Sequence, residues 1–258
     1  MPRLDYNREF STRQERFANL PEMVAQRQRV RATLALHPGE RALEVGCGNG
    51  LLTLEMAQDV TYDGHITGVD MSPSMVAMAE GLCAPLPNVS IVTADATRLP
   101  FEDGHFDVAA VVQCLCLVSD IKAAIAELFR VLRPGGRAVI LDTDWDTLAW
   151  NSADPALMAR MMGLYKSVYR NAGLPRTLSK LLRSAGFDLL SRDHFAILNW
   201  RFDPDSFSGH QIEFIRAVGE QAVSAAELDA WVESIHATAE ADTYFFSLNR
   251  YVFKAAKP

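Results

Sequence analysis

Six residues concentrate the chemistry of the first half of this chain: Glu44, Gly46, Gly48, Gly50, Asp70 and Asp95. The glycines alternate in Glu44-Val45-Gly46-Cys47-Gly48-Asn49-Gly50, where a short apolar run ends and a helix pattern begins. Alternating glycines let a backbone turn sharply and come close to a ligand. The helix that follows points free N–H groups and a positive dipole end at whatever sits there. Asp70 closes the next apolar run, 20 residues after Gly50. In nucleotide-binding α/β folds an acid in that place accepts hydrogen bonds from both hydroxyls of a ribose and repels a 2′-phosphate. Asp95 ends a third apolar run, where it could face an adenine amino group. A glycine turn alone is as often a tight structural turn. Joined to acids at two strand ends and to Pro134-Gly135-Gly136 before a later strand, it is far more specific.

The second half holds weaker candidates. Asp142, Asp144 and Asp146 alternate after the fifth apolar run and could hold a cationic amine or a divalent metal. The plainer reading is an acidic loop that caps helices and meets solvent. Asp144 is the best placed of the three for catalysis. Trp145, Trp150, Trp200 and Phe202 could line an aromatic substrate pocket, or simply pack the core. His210, behind Ser208-Gly209 at a helix start, is the preferred general base over His194 and His236, with a surface histidine as the alternative. Cys114 and Cys116 share a face if their strand runs that far, which suggests thiol chemistry or merely neighbouring core thiols. No Cys-His cluster has zinc spacing, so no metal site is expected.

The elements that must position these groups read clearly. Residues 1–37 are helical with an interruption at Leu20-Pro21. Strands follow at Arg41–Cys47, Ile66–Asp70, Val89–Thr93, Phe106–Gln113 and Arg137–Leu141, each bounded by turn residues. Helices fall between them at Leu51–Gln58, from Ser72-Pro73, and at Ile121–Leu132. Strand alternating with helix implies a parallel sheet covered on both faces, an α/β fold. Residues 154–172, 177–185 and 204–240 read as helices, with strands near Leu189–Leu198 and Tyr244–Lys254.

Residues 42–50, Gly68-Val69-Asp70-Met71-Ser72-Pro73-Ser74-Met75, Asp95–Phe101 with Phe106-Asp107, and Arg130–Arg137 together resemble the motifs of class I S-adenosylmethionine-dependent methyltransferases. The likeness is close over roughly 30–145, and Tyr244–Phe253 resembles the antiparallel last strand of that group. It is nearest the enzymes acting on quinone precursors, amines and natural products. The resemblance implies a Rossmann-like, seven-stranded, mostly parallel sheet with an antiparallel last strand and a helical cap. It implies S-adenosylmethionine as cofactor, with Glu44, Gly46, Cys47 and Gly48 near its methionine part and Gly50 in the same turn. Asp70 would serve the ribose, Asp95 and Ala96 the adenine, Met71 would be a further cofactor contact, and Gln113 would lie beneath the cofactor. In related enzymes a basic or aromatic residue near the start closes over the cofactor carboxylate; Arg29 and Tyr6 are candidates, unless that helix face is simply solvated. A dehydrogenase is the competing nucleotide reading, but Leu51 stands where its third glycine belongs.

Size and charge bound what remains. The 258 residues suit a single domain, with cap segments expected at 1–30, 145–172 and 200–240. A net charge of −7 argues against a nucleic-acid backbone as partner, and no apolar run is long enough to cross a membrane. Four cysteines inside core elements suggest a reducing, cytoplasmic setting. The expected activity is methyl transfer to an aromatic, prenylated or amine-bearing small molecule by in-line displacement. A cyclase-like enzyme that keeps the cofactor without transferring methyl is the alternative, and a silent scaffold is disfavoured by the intact glycines and acids.

Overall fold

The computed structural model describes residues 16–220 and 222–258. Helix α1 (Pro21–Leu34) leads into β1 (Arg41–Val45), α2 (Leu51–Val60), β2 (His65–Asp70), α3 (Pro73–Cys83) and β3 (Val89–Thr93). Strand β4 (Phe106–Val112), α4 (Ile121–Val131) and a long β5 (Leu132–Trp150) follow. The chain continues through α5 (Pro155–Lys166), α6 (Pro175–Ser184), β6 (Asp188–Asn199), α7 (Phe207–Gly219), α8 (Ala225–Glu240) and β7 (Phe246–Ala256). One seven-stranded sheet runs in the order β3-β2-β1-β4-β5-β7-β6. The first five strands are mutually parallel, and β7 lies antiparallel between β5 and β6. This is the Rossmann-like sheet with an antiparallel last strand that the motifs implied.

Both faces of the sheet are sealed because its central strands carry apolar residues on both faces. Successive residues point to opposite faces, and adjacent residues accordingly join different cores. Ala42, Val108 and Val139 pack with Val30, Leu34, Met56 and Val60 of α1 and α2. Leu43, Ala109 and Ile140 pack with Ile125, Leu128, Leu178 and Leu182 of α4 and α6. A third core gathers Leu20, Met23, Trp145, Tyr165, Phe207, Trp231 and Phe246, from α1, the far half of β5, α5, α7, α8 and β7. It stands beyond the carboxyl ends of the parallel strands, where ligands of open α/β sheets bind.

Two expectations need correction. Strand β5 does not end near Leu141 in an acidic loop; it continues to Trp150. The reason is its partner: β7 pairs from Arg137↔Ala256 to Asp144↔Asn249, then after an irregularity from Ala149↔Ser247 to Trp150↔Phe246, so it holds the far half of β5 in the sheet. The apparent helix over 204–240 is two helices. Ser224 starts the second with a capping box, its side chain accepting from the Glu227 amide while Glu227 reaches back to the Ser224 amide.

Candidate active site

The glycine turn is built by its neighbours. After β1 the amides of Gly46 and Cys47 both donate to the Val69 carbonyl, at 2.8 and 2.9 Å. Gly46 then adopts φ 76°, a left-handed conformation that a side chain disfavours. A Cβ there would stand 2.6 Å from Cys114 Sγ. Gly48 is also left-handed, at φ 53°, but a Cβ there would meet nothing within 4 Å, so the turn opens into free space.

Asp70 ends β2 facing that turn. Its carboxylate accepts from the Gly48 amide at 3.0 Å and from the Ser72 amide at 2.9 Å, one bond on each oxygen. Each oxygen keeps acceptor capacity for a further donor. Asp95 is exposed; one of its oxygens accepts from both the amide and the hydroxyl of Thr97, at 2.8 Å. Gln113, at the end of β4, is a non-glycine residue at φ 52°. Its amide oxygen accepts from the Thr143 hydroxyl at 2.9 Å, while its amide nitrogen is buried without a partner. Strain and an unmet donor in one residue are common marks of a ligand site.

Glu44 lies beneath the turn, fully buried and accepting from the Thr53 hydroxyl. Burial pushes its carboxyl up to about 8, with Asp70 and Glu55 adding repulsion and the Thr53 bond opposing. The folded chain therefore holds this proton at pH values where the unfolded chain, near 4.5, has lost it. Glu44 thus favours folding most below pH ~4.5, and its contribution is lost as pH rises toward about 8. Glu44→Gln is expected to flatten this fall; thermal melts of the ligand-free protein at about pH 5 and pH 8 check it. An unchanged difference between the two melts contradicts the assignment.

These groups share a continuous cavity of about 650 Å³. Glu44, Gly46, Cys47, Gly48, Asp70, Met71, Asp95, Ala96 and Gln113 line one part. Phe17, Met23 and Gln26 near α1, Trp145 and Tyr169, and Phe207, His210, Gln211 and Phe214 of α7 line the rest, with Arg250 of β7.

Comparison with known proteins identifies the first part. Residues 43–140 match the methyltransferase domain family. Those residues are a methyltransferase domain. Over 228 residues, 86% of this chain and 64% of the relative, the sequence is 32% identical to an uncharacterized 37.1 kDa protein in transposon Tn4556 of Streptomyces fradiae. It is 38% identical over 122 residues to demethylmenaquinone methyltransferase of Staphylococcus aureus, covering 47% of this chain and 51% of that enzyme. The chain thus spans between half and two thirds of the length of these relatives. Among solved structures, the cyclase SpnF superposes with a TM-score of 0.60 at 23% identity, over 91% of this chain and 81% of that one; the likeness is one of fold.

Around this methyltransferase domain the substrate-side candidates divide. Trp145 and His210 line the cavity, both buried. Trp145 stacks on Tyr169 with centroids 4.0 Å apart, and His210 meets Phe17 edge-on at 6.1 Å. Asp144 does not line it. Its buried carboxylate accepts two bonds from Arg176, at 2.7 and 3.0 Å, because β5 continues as strand and turns that side chain toward α6. The two neighbouring acids are also engaged elsewhere. Asp142 accepts from the Cys116 and Thr143 amides, and Asp146 pairs with Lys166 at 3.0 Å. Trp150 packs behind the cavity against Trp231 and Phe246. Trp200 is 67% exposed and touches Phe245 at 5.0 Å. Phe202 packs on His236 and Tyr244.

Cys114 backs Gly46 at the edge of the cavity, and burial pushes its thiol up to about 12, so it stays protonated at neutral pH. Cys116 is buried too, its thiol likewise raised by burial. Arg29 points away, pairing with Asp193 at 3.4 Å, and Tyr6 lies outside the described residues. Arg27 is the arginine of α1 that reaches the cavity, tied to Glu55 at 2.8 Å. The residues missed at the sequence level are Arg27, Gln26, Tyr169, Gln211 and Arg250. Arg27 had left a signal: it falls on the buried helix stripe Met23, Arg27, Val30, Leu34.

Proposed function

We propose that this chain transfers the methyl group of S-adenosylmethionine to a small aromatic, prenylated or amine-bearing acceptor by in-line displacement. One observation carries the reading: the glycine turn and Asp70 open into the same cavity as an aromatic chamber beneath α1 and α7. The family match supports the cofactor, and so does the fit of the residues. Gly48 leaves space, Asp70 keeps acceptor capacity on both oxygens, and Gln113 has an unmet donor. Asp70 would hold the ribose hydroxyls, Asp95 with Ala96 the adenine, and Glu44 with the glycine turn the methionine part. The bound cofactor supplies a methyl already activated on a sulfonium. The protein's task is then to align the acceptor and keep water out.

Phe17, Met23, Trp145, Tyr169, Phe207 and Phe214 supply that dry wall, drawn from the described parts of the segments 1–30, 145–172 and 200–240 that we assign as the cap, residues 1–15 lying outside the described residues. A chamber of this size suits a small molecule. His210, buried in the wall, is the group we assign to take a proton from an acceptor that must lose one. Among the described residues no helix is long and apolar enough to cross a membrane.

Incubation with S-adenosylmethionine and a panel of hydroxylated aromatic, prenylated and amine acceptors tests the proposal. S-adenosylhomocysteine is expected to accumulate only where an acceptor gains a methyl group. A product formed without S-adenosylhomocysteine would place the chain with the cyclase-like alternative.

A further inference from the structure

Arg250 stands where a strand normally presents an apolar residue. It lies in β7 opposite Thr143 of β5 and Phe195 of β6, on the same face as Phe246 and Leu248. The side chain is 2% exposed and lines the cavity. Its Nη1 donates to the Gln26 amide oxygen and contacts Met23 Sδ at 3.3 Å, and the guanidinium lies 5.0 Å over the Phe207 ring. Its Nε is buried with no partner. Among the described residues no carboxylate makes an ion pair with it. Asp142 is the acid that acts on it electrostatically, with the hydroxyls of Tyr165 and Tyr169, and the Asp142 oxygens accept from the Cys116 and Thr143 amides rather than from Arg250. Burial lowers its pKa only to about 10, so it stays charged at neutral pH.

A buried cation without a counter-ion is costly, and a bound anion would relieve that cost. A neighbouring group asks for the same kind of ligand. Trp145 Nε1 is also a buried donor without a partner, in a side chain that lines the same cavity. Both unmet groups are N–H donors, so the occupant must bring acceptor oxygens. The acids of the cavity, Glu44, Asp70 and Asp95, sit on β1, on β2 and just after β3. Arg250 is three strands from β1 across the sheet, roughly 14 Å at the usual strand spacing. Arg27, the other buried cation of the wall, is neutralised by Glu55. One uncompensated planar guanidinium matches a monoanionic carboxylate better than a phosphate dianion.

We propose that the acceptor is a carboxylate-bearing molecule whose carboxylate is held by Arg250. This deepens the methyltransferase reading and rests on it. The test uses protein saturated with S-adenosylhomocysteine and two matched probes, 3-phenylpropanoate and 3-phenylpropanamide, titrated by calorimetry. The acid is expected to bind at least about tenfold more tightly than the amide. Arg250→Met is expected to abolish that preference while leaving S-adenosylhomocysteine affinity within about threefold, and Arg250→Lys to keep part of it. Equal binding of acid and amide by the parent protein, or binding of neither at millimolar concentration, overturns the proposal without any need of a folded variant. A loss of S-adenosylhomocysteine affinity in Arg250→Lys and Arg250→Met alike overturns it too, by assigning Arg250 to the methionine carboxylate. Failure of the parent protein to bind S-adenosylhomocysteine at all would instead defeat the methyltransferase reading.

Discussion

Asp70→Ala is expected to weaken S-adenosylhomocysteine binding by about 100-fold or more. The carboxylate would accept from both ribose hydroxyls, and hydrogen bonds to a charged group contribute about 1.5–3 kcal/mol each. The loss has a second source, because the same oxygens fix the amides of Gly48 and Ser72 at 3.0 and 2.9 Å. Without them the turn that approaches the ligand loosens. Asp70→Asn should lose nearly as much, since one amide nitrogen would then face a backbone N–H. Calorimetry on both variants checks this, and affinity held within about threefold would show that Asp70 is not the ribose anchor.

Gly46→Ala is expected to cost stability as well as binding. The left-handed backbone at φ 76° penalises any side chain by about 1–2 kcal/mol. The new Cβ would also lie 2.6 Å from Cys114 Sγ and 2.7 Å from Cys114 Cβ, a clash of the kind that costs about 1–3 kcal/mol. At about 2–4 °C per kcal/mol for a chain of this size, Tm should fall by roughly 5–15 °C. The double variant Gly46→Ala with Cys114→Gly separates the two causes. It removes both close contacts, leaving Cys114 Cα at 3.9 Å, so it should recover the steric part and keep the backbone part. No fall in Tm for Gly46→Ala would contradict the packing described here.

What the sequence made legible was local. The glycine turn, Asp70 and Asp95 each sit at the end of an apolar run, and hydrophobic periodicity with glycine punctuation locates such ends well. The structure brings all of them to one cavity because parallel strands end on the same edge of the sheet. The substrate side was less legible because long-range pairing decides it. Asp144 follows an apolar run and looks like a loop acid. Only the length of β7, more than 100 residues later, keeps it in strand and hands it to Arg176. Trp150 and Trp200 are the same residue type as Trp145, yet packing turns one behind the cavity against Trp231 and Phe246 and one toward solvent. Arg250 did leave a trace that was not used. In Phe246, Leu248, Arg250, Val252 the period of two places a charge on an inward position. A charge there is rare unless something meets it.

The most direct test of the account is calorimetry of the parent protein with S-adenosylmethionine, S-adenosylhomocysteine and NAD. The glycine turn, Asp70 and the open space above Gly48 predict one site with micromolar affinity for the first two, roughly −8 kcal/mol, and no binding of NAD. Heat from NAD with none from either sulfur compound would contradict it.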